Sequence, residues 1–192
     1  MQDVSVRIGT GRCQLVEVAE IVRQCEQLQP HLVAFSFQKL VEVFKGRMWL
    51  LGGWNPSDKA HFPRICNNEV WSSTDGANWL LVKPNTFLDR TFDSANDWEG
   101  RHTAGYVVYK DAMWIVGGDA NQGHIHNDVW NSTDGKHWKY VNKNRDVPWG
   151  PRVLHYTLVF KDKIWVIGGQ TMPGFAPPRK EVFYRDVWNT TN

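Results

Sequence analysis

A phrase that occurs three times constrains this 192-residue chain more than any other feature. Met48-Trp49-Leu50-Leu51-Gly52-Gly53 returns as Met113-Trp114-Ile115-Val116-Gly117-Gly118 and again as Ile164-Trp165-Val166-Ile167-Gly168-Gly169. A second phrase follows each copy: Glu69-Val70-Trp71-Ser72-Ser73-Thr74-Asp75-Gly76, Asp128-Val129-Trp130-Asn131-Ser132-Thr133-Asp134-Gly135, and Asp186-Val187-Trp188-Asn189-Thr190-Thr191-Asn192. The Trp residues of the second phrase stand 59 and 58 positions apart, whereas the Gly pairs stand 65 and 51 apart. A constant framework is thus interrupted by one connection of variable length, as in arrays whose repeats are single packing units.

Each unit reads as four antiparallel strands. Tyr106-Val107-Val108-Tyr109 and Thr157-Leu158-Val159-Phe160 are β-branched and aromatic runs. Lys110-Asp111 and Lys161-Asp162 then reverse the chain into the Trp-Gly-Gly strand. The Val-Trp strand comes next, and Asp-Gly at 75–76 and 134–135 is a hairpin signal because Gly accepts positive φ. A last strand carries Trp79 or Trp138, and the Gly pair is expected to end the second strand. The lead-in Trp98-Glu99-Gly100-Arg101 has a partner in Trp149-Gly150-Pro151-Arg152, each Arg thirteen positions before the next repeated Trp. Ser36 stands at the matching place before Trp49, so the first unit is entered irregularly.

The diglycine, the downstream Trp and the Arg before the first strand resemble the kelch repeat family. The Asp-Val-Trp-x-Ser-Thr-Asp-Gly-x-x-Trp wording is similar to bacterial kelch proteins of the galactose oxidase central-domain superfamily. The resemblance covers about residues 37–192 and implies an all-β fold: a kelch-type β-propeller with blades near 38–83, 102–142 and 153–192. Propellers have roughly 4–8 blades, and the third unit stops inside its third strand. The expectation is therefore a partial propeller, one completed by oligomerisation, or a fragment of a larger kelch protein. Residues 1–36 depart from the pattern: Val4–Ile8 reads as a strand, and Gln14–Gln29 as a short amphipathic helix with Leu15, Val18, Ala19, Val22 and Cys25 on one side.

Composition excludes several classes. Lys plus Arg (22) nearly balances Asp plus Glu (20), so a basic nucleic-acid platform is not expected. No run of 18 apolar residues offers a membrane span. The first residues carry no apolar signal core, giving a cytoplasmic location by default and an exported one if an upstream segment is missing. Cys13, Cys25 and Cys66 have unrelated spacings and suggest neither a disulfide framework nor a zinc knuckle. No nucleophile elbow, phosphate loop or dinucleotide fingerprint is present. The copper chemistry of galactose oxidase lacks a matching constellation, Cys66 being the sole Cys of the propeller region. No cofactor and no catalytic residue is assigned.

Repetition sorts the remaining residues. A side chain recurring in every unit serves the fold, as for the repeated Trp residues, whose burial contributes about 2–3 kcal/mol each. A side chain found once in a variable connection is a better functional candidate. In a four-stranded meander the connections after strands two and four share one face. By family resemblance that face engages ligands or partners. Trp54, Asn55, His61, Arg64, Asp119, Asn121, His124, His126, Arg179 and Lys180 fall there. Arg101 and Arg152, at the channel end of the first strands, would either grip a ligand carboxylate or cap carbonyls of a neighbouring blade, and His102 and His155 share that ambiguity. His124-Ile125-His126 would set two imidazoles on one side of a strand, but spacing supplies no third ligand, so no metal is assigned. The expected function is a binding module for a protein or glycan. The alternative is a carbohydrate-active propeller resembling the sialic acid mutarotases.

Overall fold

The computed structural model describes residues 40–55, 60, 65–87, 91–120, 124–142, 147–171 and 181–190. The expected strand at Val4–Ile8 and helix at Gln14–Gln29 lie outside them. The fold is all-β: three antiparallel sheets stand side by side as propeller blades. The first holds β1 (Leu40–Phe44), β2 (Arg47–Trp54), β3 (Cys66–Ser73) and β4 (Leu80–Lys83) in sequential order. The second repeats that order with β5 (Gly105–Tyr109), β6 (Ala112–Asp119), β7 (Ile125–Ser132) and β8 (Lys139–Tyr140). The third has β9 (Tyr156–Phe160), β10 (Lys163–Ile167) and β11 (Val187–Asn189).

The tight hairpins are the Lys-Asp turns. Lys110 and Asp111 have φ of 45° and 53°, and Lys161 and Asp162 have 49° and 53°. Positive φ at both central residues matches the twist of the flanking strands. The Asp-Gly pairs do something else. Six residues separate β3 from β4, and there Asp75 Oδ1 accepts the N–H groups of Ala77 and Asn78 while Ser73 Oγ accepts that of Gly76 at 2.8 Å. Asp134 and Ser132 repeat this arrangement. The side-chain oxygens satisfy the loop's donors, so a wider turn than a two-residue hairpin is stable.

The Gly pair does not end the second strand in the first two blades. β2 and β6 run through it after a shift of register between Leu51 and Gly53 and between Val116 and Gly118. Gly52 and Gly117 both have φ of 60°, and a Cβ on Gly52 would lie 3.0 Å from the Arg101 carbonyl oxygen. The shift lets Gly53 N–H donate to Arg101 O, and Gly118 N–H to Arg152 O, each at 3.0 Å. In the first two blades the pair thus joins the second strand to the lead-in of the next blade.

The main core fills the space between the first two blades: Phe44, Trp49, Leu51, Val70 and Trp98 meet Tyr106, Met113, Ile115, Trp130 and Trp138. A second contact, through Val107, Tyr109 and Ile164, joins the second blade to the third. The repeated indoles hold fixed partners. Trp49, Trp114 and Trp165 donate to the carbonyls of Phe44, Tyr109 and Phe160 at 2.8–2.9 Å, closing each first hairpin. Beyond the third sheet the apolar side chains Tyr156, Leu158 and Phe160 of β9 are exposed.

Candidate functional site

The repeated Arg residues are spent on the fold. Arg101 is fully buried, donating from Nε to Glu99 O at 2.9 Å, from Nη1 to Gly117 O at 3.1 Å, and from both Nη atoms to the carboxylate of Asp128. Arg152 copies this with Gly150 O, Gly168 O and Asp186, at 2.7–3.2 Å. Trp130 and Trp188 donate their indole N–H to the same two carboxylates at 2.8 and 2.7 Å. Burial alone would raise the Asp128 carboxyl, but the charge and hydrogen bonds of Arg101 outweigh it and hold the group below the usual carboxylate range. Both guanidiniums therefore tie a lead-in to the second and third strands of its own blade, so the carbonyls they cap are not those of a neighbouring blade, and their donors are not turned to a ligand carboxylate.

His155 is likewise internal. It is 7% exposed, packed beneath Gly105, where a Cβ would lie 2.8 Å from its Nε2. Burial, and then the Arg152 charge, push its imidazole down from 6.5 to about 4. A His held neutral in the fold stabilises fully above its unfolded value, and that contribution is lost as pH falls towards the folded one. Unfolding free energy is expected to drop by on the order of 3 kcal/mol between pH 6.5 and about 4. Denaturant titrations across that window check this, and the drop should shrink in His155→Leu. Asp186, held at about 2 chiefly by its hydrogen bond from Arg152, acts only in more acidic solution.

The unrepeated polar residues gather at one face. β6 ends at Asp119, and the short connection to β7 is tied by Ala120 N–H donating to His124 O at 3.1 Å. Asp119 and His102 exchange both backbone hydrogen bonds at 3.0 Å. The His102 Nδ1 lies 3.0 Å from Asp119 O, so its N–H donates to that carbonyl. The Trp54 indole stacks on the His102 ring at 5.7 Å between centroids and 20° between planes. Cys66 sits behind, its Sγ 3.5 Å from His102 Nδ1. Burial, then the Asp119 charge, push its thiol up to about 12, so it is an inert thiol rather than a nucleophile.

At the start of β7, His126 and the residue just before the strand, His124, turn to one side, with ring centroids 4.5 Å apart. Glu99 reaches over from the lead-in to the second blade, and its Oε2 lies 2.9 Å from both His124 Nδ1 and His126 Nε2. Burial would raise the Glu99 carboxyl, but the His126 hydrogen bond and the nearby cations hold it below the usual range. Burial, then the Arg101 charge, lower His126. At neutral pH the site thus holds an ionised carboxylate beside a neutral, donating imidazole. His124 is 58% exposed at the side chain, and His126 16%.

Of the sequence candidates, Trp54, His102 and Asp119 meet in one cluster, and His124 joins it through the β6–β7 connection. His61, Arg64, Asn121, Arg179 and Lys180 lie outside the described residues. Glu99 was not among the candidates. Its signal was available: it stands where the matching lead-in has Gly150, and is therefore an unrepeated residue inside a repeated phrase.

No protein-family model matches the sequence, and no curated protein matches it. Among solved structures, that of YjhT is similar, with a TM-score of 0.58 at 15% identity over 79% of this chain. The match takes in 52% of the YjhT chain, so this chain spans about half its length. The likeness concerns the fold. Among the described residues no helix is long and apolar enough to cross a membrane.

Proposed function

We propose that this chain is a kelch-type binding module whose loop face recognises a glycan. The reading rests on one observation. The repeated polar residues are consumed by the fold, whereas the unrepeated ones, Trp54, Glu99, His102, Asp119, His124 and His126, collect at the same end of two rigid blades. Their chemistry suits sugar hydroxyls, which both donate and accept. The Glu99 carboxylate accepts, the imidazoles do either, and an indole stacked on an imidazole offers an aromatic platform. Trp54, Asp119 and His126 stand on strands, and His102 is bridged to Asp119, which lowers the ordering cost of binding.

The test is a glycan array followed by titration of the best oligosaccharide. His124→Ala and His102→Ala are each expected to weaken binding about tenfold or more, equivalent to about 1.4 kcal/mol. The melting temperature of His124→Ala should stay within about 2 °C of wild type, because its side chain is largely in water. Unchanged affinity in both variants would refute the reading. A carbohydrate-active, mutarotase-like enzyme is the second reading, favoured by the ionised Glu99 beside neutral His126, a pair suited to moving a proton. Faster interconversion of the bound sugar's anomers, measured by NMR, would shift the conclusion to it.

A further inference from the structure

The geometry assigns a second capacity to the same face: Glu99, His124 and His126 form a binding site for a divalent cation of the zinc class. The inference does not rest on the glycan reading. Sequence spacing supplied two imidazoles and no third ligand, and the fold supplies it from another blade connection. One donor atom from each residue lies within 4.8 Å of the others, and the Glu99 Oε2 is 2.9 Å from each of the two ring nitrogens. A tetrahedral zinc with bonds of about 2.0–2.2 Å sets its ligand atoms about 3.3–3.5 Å apart. Each Glu99–imidazole contact would lengthen by about half an ångström to take the ion.

The donor set selects the metal. Two imidazoles and one carboxylate suit zinc and its borderline neighbours, and are poor for calcium or magnesium, which take oxygen ligands. The supports are rigid. The Glu99 carbonyl accepts from Arg101 Nε at 2.9 Å, and His126 pairs with Gly118 across β6 and β7 while its carbonyl accepts from Arg152 N–H at 3.1 Å. The second nitrogen of His126, Nδ1, lies 3.7 Å from Asp128 Oδ2. Metal binding displaces the Nε2 proton that now faces Glu99, and the Asp128 carboxylate, fixed by Arg101, stands on the Nδ1 side where the remaining proton would sit. Ligation through one nitrogen of each ring leaves two neutral imidazoles and one carboxylate, so the bound ion keeps a single net positive charge. Three protein ligands leave a fourth position, and the exposure of His124 opens it to solvent. A water or an oxygen of a bound ligand would complete the shell, the pattern of a working rather than a structural zinc.

Calorimetric titration of the chain, made without a histidine tag, with zinc chloride at neutral pH tests this. One zinc per chain with micromolar or tighter affinity is expected. His124→Ala and Glu99→Gln should each weaken it at least about tenfold, outer-shell changes alone being worth 10–100-fold. Both variants should melt as wild type does in the absence of metal. The cobalt-substituted protein should give a tetrahedral visible spectrum with no thiolate-to-metal band. No saturable binding, equal affinity in both variants, or a thiolate band pointing to the cysteines would each overturn the assignment. Zinc alone is the probe, so a failure here leaves the glycan titration to stand or fall by itself.

Discussion

Arg101→Ala is expected to cost on the order of 3–5 kcal/mol of unfolding free energy, a large share of the roughly 5–15 kcal/mol that holds a typical domain. The reason lies in what remains. Asp128 keeps its Trp130 hydrogen bond but loses both guanidinium contacts, and stays buried as an uncompensated charge. The carbonyls of Glu99 and Gly117 lose their side-chain donor as well. Arg101→Lys should recover little, since a point ammonium cannot span two carboxylate oxygens and two carbonyls at once. Denaturant unfolding of the single variants and of Arg101→Ala/Asp128→Ala measures the coupling. The double variant should be less destabilised than the two singles summed, because it no longer buries a lone charge. Additive losses, or a single-variant loss below about 1 kcal/mol, would show that the pair does not hold the lead-in to the second blade.

The second large effect is at Trp98, which is fully buried between the first two blades and meets Trp138 edge to face at 5.7 Å. Trp98→Ala opens a cavity that two sheets of fixed register cannot close, and should cost about 3–5 kcal/mol. The indole N–H of Trp98 has no hydrogen-bond partner, unlike those of Trp49 and Trp138. Trp98→Phe therefore gives up ring volume but no polar contact, and should cost about 1–2 kcal/mol. Trp138→Phe removes a real hydrogen bond, to Gly135 O at 3.0 Å, in addition to volume. Thermal melts of the three variants should rank Trp98→Ala as the least stable. A Trp98→Phe variant as damaged as Trp98→Ala would mean that the N–H, and not the packing, is what matters.

These residues also mark how far the sequence could be read. The blades were legible because each unit must repeat the same packing problem, so Trp49, Trp114 and Trp165 recur with the hairpin carbonyls they cap. Turn detail was less so. The Lys110-Asp111 and Lys161-Asp162 reversals were legible, but Asp-Gly signals a tight hairpin locally, whereas Ser73 and Ser132 add hydroxyl acceptors that stabilise a wider loop. The Gly pair looked like a strand end because positive φ breaks local strand geometry. A register shift lets β2 and β6 continue through it, and register is set by the partner strand rather than by the residue itself. The site was half legible. Alternation identified His124 and His126 as neighbours, but Glu99 reaches them from a different connection, and a contact between two connections leaves no periodic trace. The roles of Arg101 and Arg152 needed Asp128 and Asp186, 27 and 34 residues away.

Chemical-shift mapping directly tests the division of the molecule into a repeated framework and an unrepeated recognition face. The oligosaccharide selected on the array would be titrated into isotopically labelled protein, and the amide signals followed. The predicted result is a continuous set of shifts at Trp54, His102, Asp119, Ala120 and His124, with Lys110, Asp111 and Gly135 at the opposite end unmoved. Shifts centred on the Lys-Asp and Asp-Gly turns, with the His102 and His124 signals unchanged, would contradict it.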